Sequence, residues 1–213
     1  MRALAYGLLG LGALGCAASW HDRHRERRHG ADRFAFPPRE HGAGAGDLTA
    51  ALGVRRGDRV AAIGVDDALL ETLAAAVGET GRVHVVALGE RRASDLEAIV
   101  KQYHAGNVFV VLASPDDPRL PQAGIDLAIV HAAALVEGGS PIFLDRVRSS
   151  LAPGGRVALL GGGIEGRPWF GAEGHRAWHV AQWGLRSARL EEVARFRTPY
   201  RGKVALYAAR DVA

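Results

Sequence analysis

The sequence predicts an α/β domain, a parallel sheet with helices packed on both of its faces. Three observations predict it. Short apolar runs of strand length alternate with segments of helical apolar spacing from residue 57 to residue 160, Gly and Pro punctuate the junctions, and two last strand runs are joined by a turn short enough to pair them antiparallel. At 213 residues, with 48% hydrophobic and 23% charged residues, the chain has material for one ordinary core and lacks the bias of a disordered or multi-span membrane protein.

The elements follow in order. Asp47 stands where a cap opens a short helix, Leu48 to Leu52, stopped by Gly53. Val60 to Ile63, between Gly57-Asp58 and Gly64, is a short apolar run bounded by turn residues and therefore a buried strand. Ala68 to Val77 places Leu69, Leu70, Leu73, Ala76 and Val77 on one helical face, and Gly78 ends it. Arg82 to Ala87 reads as the second strand, Ser94 to His104 as a helix, Asn107 to Leu112 as the third strand and Ile125 to Val130 as the fourth. Pro141 to Leu151 reads as a helix with Ile142, Leu144, Val147 and Leu151 on its inner side, and Pro153-Gly154-Gly155 turns into a fifth strand, Arg156 to Leu160. A loop, Gly161 to Gly174, then leads to a helix at Ala177 to Gly184 and to strands at Glu191 to Phe196 and Lys203 to Ala208.

Ahead of this domain, residues 47–213, lie two segments of different character. Residues 1–20 begin with Arg2, continue as an uncharged Gly- and Ala-rich run, and contain the chain's single cysteine, Cys16, after Ala13-Leu14-Gly15. That is the outline of an export signal, and the cysteine resembles the acylation point of a relaxed bacterial lipobox. An uncleaved anchor, a simple signal peptide and a buried helix are the alternatives. Residues 21–46 read as a solvated tether: the stretch His21 to Arg33 carries five Arg and three His (His21, His24, His29) without apolar periodicity, and Pro37-Pro38 and Gly-Ala repeats follow. Arg2 and the stretch His21 to Arg33 together carry most of the formal charge of +4, so residues 34–213 are close to neutral and charge gives no reason to expect a nucleic-acid partner. One cysteine excludes an intramolecular disulfide and a multi-cysteine zinc site.

Five segments carry a family resemblance: Leu52 to Val60, Ile63-Gly64, Val77 to Val83, Asp116 to Pro121 and Leu151 to Val157. Together they resemble the framework of class I S-adenosylmethionine-dependent methyltransferases, in particular bacterial members with an export-type leader. The resemblance covers residues 47–209 and implies a Rossmann-like seven-stranded sheet, mostly parallel, with the last strand antiparallel. It also implies S-adenosylmethionine as cofactor, bound at the carboxyl ends of the first strands where a glycine-rich turn lets backbone approach the ligand.

At those positions the residues depart from the family's pattern. The turn is Gly64-Val65-Asp66-Asp67-Ala68, in which only the first glycine stands and Asp66 brings a carboxylate to the place of the cofactor's own. Asp66 or Asp67 also suits the ordinary role of helix cap. Ala87-Leu88 replaces the acid that accepts from the ribose hydroxyls, with Glu90 three residues on, and Ala62 replaces the acid often found upstream of the first turn. Ala113-Ser114 replaces the acid that meets the adenine amine, while Asp116 and Asp117 fall in a turn. The positional cofactor candidates are thus Gly64, Asp66, Glu90 and Ser114. His131, after the fourth strand, is the candidate base, set against the plainer role of a strand-end histidine with a backbone partner. Trp169, Phe170, Trp178 and Trp183 read either as a pocket roof or as packing, and His175 and His179 have metal-ligand spacing without a third ligand; no metal is expected.

The functional expectation is a methyltransferase-like protein whose cofactor binding is impaired or lost, a membrane-associated binding or scaffold domain in a bacterial cell envelope. An active methyltransferase on a small molecule is the alternative, with a cytoplasmic location as its counterpart. A small molecule or a protein is the expected partner, with membrane association through the amino terminus.

Overall fold

Val60 and Ala62 face one side of the first strand and Ala61 and Ile63 the other, and all four are fully buried. A strand apolar on both faces must lie inside a sheet covered on both sides. In the computed structural model, which describes residues 44–103, 105–138, 140–161, 172–198 and 202–209, that strand, β1 (Arg59–Ile63), has parallel neighbours on both edges. The leader 1–20 with Cys16, the tether as far as residue 43, and His104, Trp169 and Phe170 lie outside the described residues.

The elements are α1 (Gly44–Ala51), β1, α2 (Asp67–Val77), β2 (Arg82–Ala87), α3 (Glu90–Gln102), β3 (Val108–Leu112), β4 (Ile125–His131), α4 (Ala132–Gly138), α5 (Pro141–Ser150), β5 (Leu151–Gly161), α6 (Ala172–Ser187), β6 (Leu190–Thr198) and β7 (Gly202–Ala209). They form a seven-stranded sheet in the order β3-β2-β1-β4-β5-β7-β6. Only β7 runs antiparallel to its neighbours β5 and β6, the Rossmann-like arrangement that the resemblance implied. Two apolar cores flank the sheet. One joins Val60, Ala62, Val83 and Val85 to Leu69, Leu73 and Leu96 of α2 and α3, and the other joins Ala61, Ile63, Ala128 and Val130 to Phe143, Leu144, Trp178 and Leu185 of α5 and α6.

Several boundaries differ from the sequence reading, each for a local reason. α1 begins at Gly44, so Asp47 lies within it rather than capping it. α3 begins at Glu90, not Ser94, because the Ser94 hydroxyl donates to the Glu90 carbonyl one turn back instead of capping. The Ala132–Gly138 run forms α4 directly after β4, with no turn residue between them to announce it. β5 starts at Leu151, taking Pro153-Gly154-Gly155 into the strand through a register shift opposite β4. Ile142 is a correction: with Pro141 opening α5 and Ser140 as its cap, the helix phase buries Phe143, Leu144 and Val147 and leaves Ile142 57% exposed.

Candidate functional site

In this architecture the carboxyl ends of β1, β2, β3 and β4 meet at one edge of the sheet, at the point where the strand order reverses between β1 and β4. Gly64 follows β1 with φ +68°, a conformation that favours glycine. A Cβ placed on it would stand 2.4 Å from the Ala134 Cβ and 3.5 Å from the His131 Cβ. The space over Gly64 is therefore taken by α4, and the glycine serves a close helix approach.

Asp66 is the cap of α2. It is 8% exposed, has extended backbone (φ −85°, ψ 170°), and its Oδ1 accepts from the Leu69 N–H at 2.9 Å. Of the two readings of this aspartate, the capping one is present in the geometry. Asp67 turns toward α3 and pairs with Arg92 at 3.4 Å. Burial raises its carboxyl above the usual value, with Arg92 pulling the other way. Sequence reasoning missed this pair, since nothing in the spacing links residues 67 and 92.

At the end of β2, Ala87 is fully buried in the core under α2 and α3, and its carbonyl accepts from Ala113 N–H at 2.9 Å. Leu88 packs against the opposite core. Glu90, which lies ahead of the helix start expected at Ser94, is instead the first residue of α3 and is exposed. Ser114 is held by a two-way backbone exchange with Asp117, at 2.9 and 3.2 Å. Asp117 Oδ1 accepts from Arg119 N–H, so this aspartate closes the turn as its residue type suggested. Asp116 does more: it accepts from the Ser140 hydroxyl, while Ser140 N–H donates to the Pro115 carbonyl at 3.3 Å. The loop after β3 is thus tied to the start of α5, a latch whose only sequence signal was Ser140 preceding Pro141.

His131 ends β4 and is 2% exposed. Its Nδ1 accepts from the Ala133 N–H at 3.3 Å, the backbone partnership that was the plainer reading, and it occupies a free donor at the start of α4. The structure thus brings Gly64 and His131 together around Ala134, and leaves Asp66, Glu90 and Ser114 each in separate local duties.

The aromatic candidates divide. Trp178 is 5% exposed and its ring packs against Gly161 at the end of β5, where a Cβ would overlap it; it is packing. Arg195 stacks over its ring, 6.0 Å from the guanidinium carbon to the ring centroid. Trp183 is 63% exposed. His175 and His179 face each other on α6 with Nε2 atoms 2.9 Å apart, and no third His, Cys, Asp or Glu joins them among the described residues. A cavity of 260 Å³ lined by Leu70, Ala74, Tyr103 and Asn107 lies between α2 and α3 beside the amino-terminal start of β3, away from the carboxyl ends.

No family model matches the sequence, and no curated protein matches it. Solved structures do. A SAM-dependent methyltransferase from Aquifex aeolicus is 17% identical, covers 76% of this chain and 88% of its own, and superposes with a TM-score of 0.67. Fibrillarin from Aeropyrum pernix, in complex with natively bound S-adenosyl-L-methionine, is 18% identical over 78% of this chain and 76% of its own, with a TM-score of 0.55. A SAM-dependent O-methyltransferase from Thermotoga maritima is 15% identical over 86% and 71%, with a TM-score of 0.55. At these identities the shared property is the fold, and this chain has the fold of S-adenosylmethionine-dependent methyltransferases.

Proposed function

We propose that this methyltransferase-like fold no longer holds S-adenosylmethionine productively and works as a binding or scaffold domain at a bacterial membrane surface, attached through its amino terminus. The observation that carries the reading is Asp66. Its carboxylate accepts the Leu69 N–H at the start of α2, where the fold would offer N–H groups to the cofactor's carboxylate. A ligand carboxylate there meets a like charge and a donor already used. Ala87, buried and apolar, supplies no acceptor for a ribose diol. Loss of such an acceptor costs about 1–3 kcal/mol and the added charge more, so affinity falls by about two decades or more.

Membrane attachment is supported by residues 1–20, with Cys16 as the acylation point. Its test is incorporation of labelled palmitate, lost in Cys16→Ser. The cofactor part is tested by calorimetric titration of the full chain with S-adenosylmethionine and with S-adenosylhomocysteine. No heat of binding at micromolar ligand is expected, and micromolar affinity overturns the reading.

One observation favours the second reading, an active methyltransferase on a small molecule. Glu90 is exposed on the first turn of α3, close in sequence to the missing ribose acid. Under that reading the titration shows binding that weakens in Glu90→Gln.

A further inference from the structure

The near-neutral balance of the domain conceals a division of charge across the sheet. On one side, α2 and α3 carry five acids, Asp67, Glu71, Glu90, Asp95 and Glu97, against three bases. On the other side, α4, α5 and α6 carry four Arg against Glu137, Asp145 and Glu173, with His175 and His179 in addition. One of the four, Arg148, lies 4.0 Å from Asp145.

The second layer also holds most of the domain's large exposed apolar side chains. Val136 of α4 is 54% exposed, Ile142 of α5 57%, Val180 of α6 48% and Trp183 of α6 63%. Their positions are ordered. On α5, Ile142 and the exposed Arg146 are one helical turn apart. On α6, the exposed residues Arg176, Val180 and Trp183 stand at i, i+4 and i+7, one stripe along the outer face. Both helices therefore present an outer face that mixes apolar with basic side chains, with the exposed Asp145 beside Arg146 on α5, while their inner faces bury Phe143, Leu144, Trp178 and Leu185 in the core. Nothing in the fold of the helix layer requires this, since an outer face is satisfied by polar residues alone.

We propose that the outer face of α5 and α6 docks on an anionic lipid bilayer, with Trp183, Val180 and Ile142 entering the interface and Arg146 and Arg176 meeting lipid phosphates. A tryptophan between basic residues suits the headgroup boundary, where its ring is half apolar and half wet. Basic residues alone would suit any polyanion. The aliphatic side chains select lipid, because a phosphate backbone gives them nothing to bury against. The acidic α2–α3 layer on the far side of the sheet is repelled by the same surface, so the two layers agree on one orientation. The inference deepens the membrane part of the proposed function and is independent of whether the cofactor binds.

The experiment uses the full chain and vesicles of phosphatidylglycerol and phosphatidylcholine in which a fraction of the acyl chains is brominated, with tryptophan fluorescence as readout. Bromolipid quenches Trp183 on docking, and the quenched component is missing in Trp183→Phe, which keeps an apolar side chain at the position. The lipid concentration for half-quenching rises about 25-fold in the double variant Arg146→Gln/Arg176→Gln, at about fivefold per basic residue. Pure phosphatidylcholine vesicles give no Trp183 component. If the chain sediments with vesicles while the Trp183→Phe difference is nil, attachment through the amino terminus stands and this face is not its contact. If the chain does not sediment at all, both fail. A single-stranded oligonucleotide that shifts Trp183 emission when lipid does not would replace the bilayer with nucleic acid and overturn the inference.

Discussion

Substituting Gly64 by alanine separates the two reasons that residue is a glycine. Its φ of +68° costs an alanine about 1–2 kcal/mol. The new Cβ would also stand 2.4 Å from the Ala134 Cβ, an overlap that α4 relieves only by moving, at about 1–3 kcal/mol. The single substitution is therefore expected to remove about 2–5 kcal/mol from a domain whose whole stability is of order 5–15 kcal/mol. Ala134→Gly removes the opposing methyl and costs about 1 kcal/mol in helix propensity. In the double variant the overlap is gone and only the backbone and propensity costs remain, so the cycle should show a favourable coupling of about 1–3 kcal/mol. Urea denaturation followed by far-ultraviolet circular dichroism measures all four proteins. A coupling within about 0.5 kcal/mol of zero refutes the claim that α4 sits on Gly64, and with it the view that this part of the crevice is filled by protein.

The remaining predictions concern charge and close packing. Glu192 accepts two hydrogen bonds from Arg195 at 2.7 Å each, and this partner holds its carboxyl below the usual 4.5. The lowered value means stability present above 4.5 and lost as pH falls through the folded value. Glu192→Gln should thus cost up to about 1 kcal/mol at pH 7, with the difference from wild type closing in acid, measured by urea midpoints across pH. Asp67 has the opposite sign: burial raises its carboxyl above 3.8, so its contribution is present below 3.8 and lost as pH rises through the folded value. Asp67→Asn is expected to leave the pH 7 melting temperature unchanged or higher, despite losing Arg92. Gly161→Ala drives a methyl into the Trp178 ring and should cost about 1–3 kcal/mol, with a changed near-ultraviolet tryptophan signal. Ser140→Ala removes both the cap of α5, bonded to Phe143 N–H at 3.3 Å, and the tie to Asp116; a loss of about 1 kcal/mol with faster proteolysis after β3 is expected.

What could be read from the sequence follows from which interactions are local. Val60 to Ile63, Leu69 to Val77 and Arg82 to Ala87 announce themselves because a strand apolar on both faces and a helix apolar on one leave different periods in the chain. The cap at Asp66 and the turn at Asp117 were legible for the same reason, each side chain bonding backbone within three residues. Helix α4 was not legible, because Ile125 to Val136 is nearly unbroken apolar sequence and its first turn is assisted by a histidine ring, not by a recognisable cap. For Ile142, apolar spacing alone admits two helical phases, and Pro141 behind the Ser140 cap fixes the one that turns it outward.

The site was legible as a list of residues but not as an arrangement. Asp67 with Arg92, and Asp116 with Ser140, are separated by 25 and 24 positions, and each pair forms only once the sheet has brought two distant chain segments to the same edge. The polar network of Gln182, Tyr207, Glu192 and Arg195 is of the same kind: α6, β6 and β7 must assemble before the Gln182 amide reaches the Tyr207 hydroxyl at 3.1 Å. The charge division has the same origin. A sum over residues gives near-neutrality in any order, whereas the βα alternation sends α2 and α3 to one face and α5 and α6 to the other, so the order of elements converts a balanced composition into a polar molecule. A fold that separates charge in this way has an orientation in an external field whether or not a ligand occupies its crevice. For that reason the bilayer inference would survive even a positive cofactor titration.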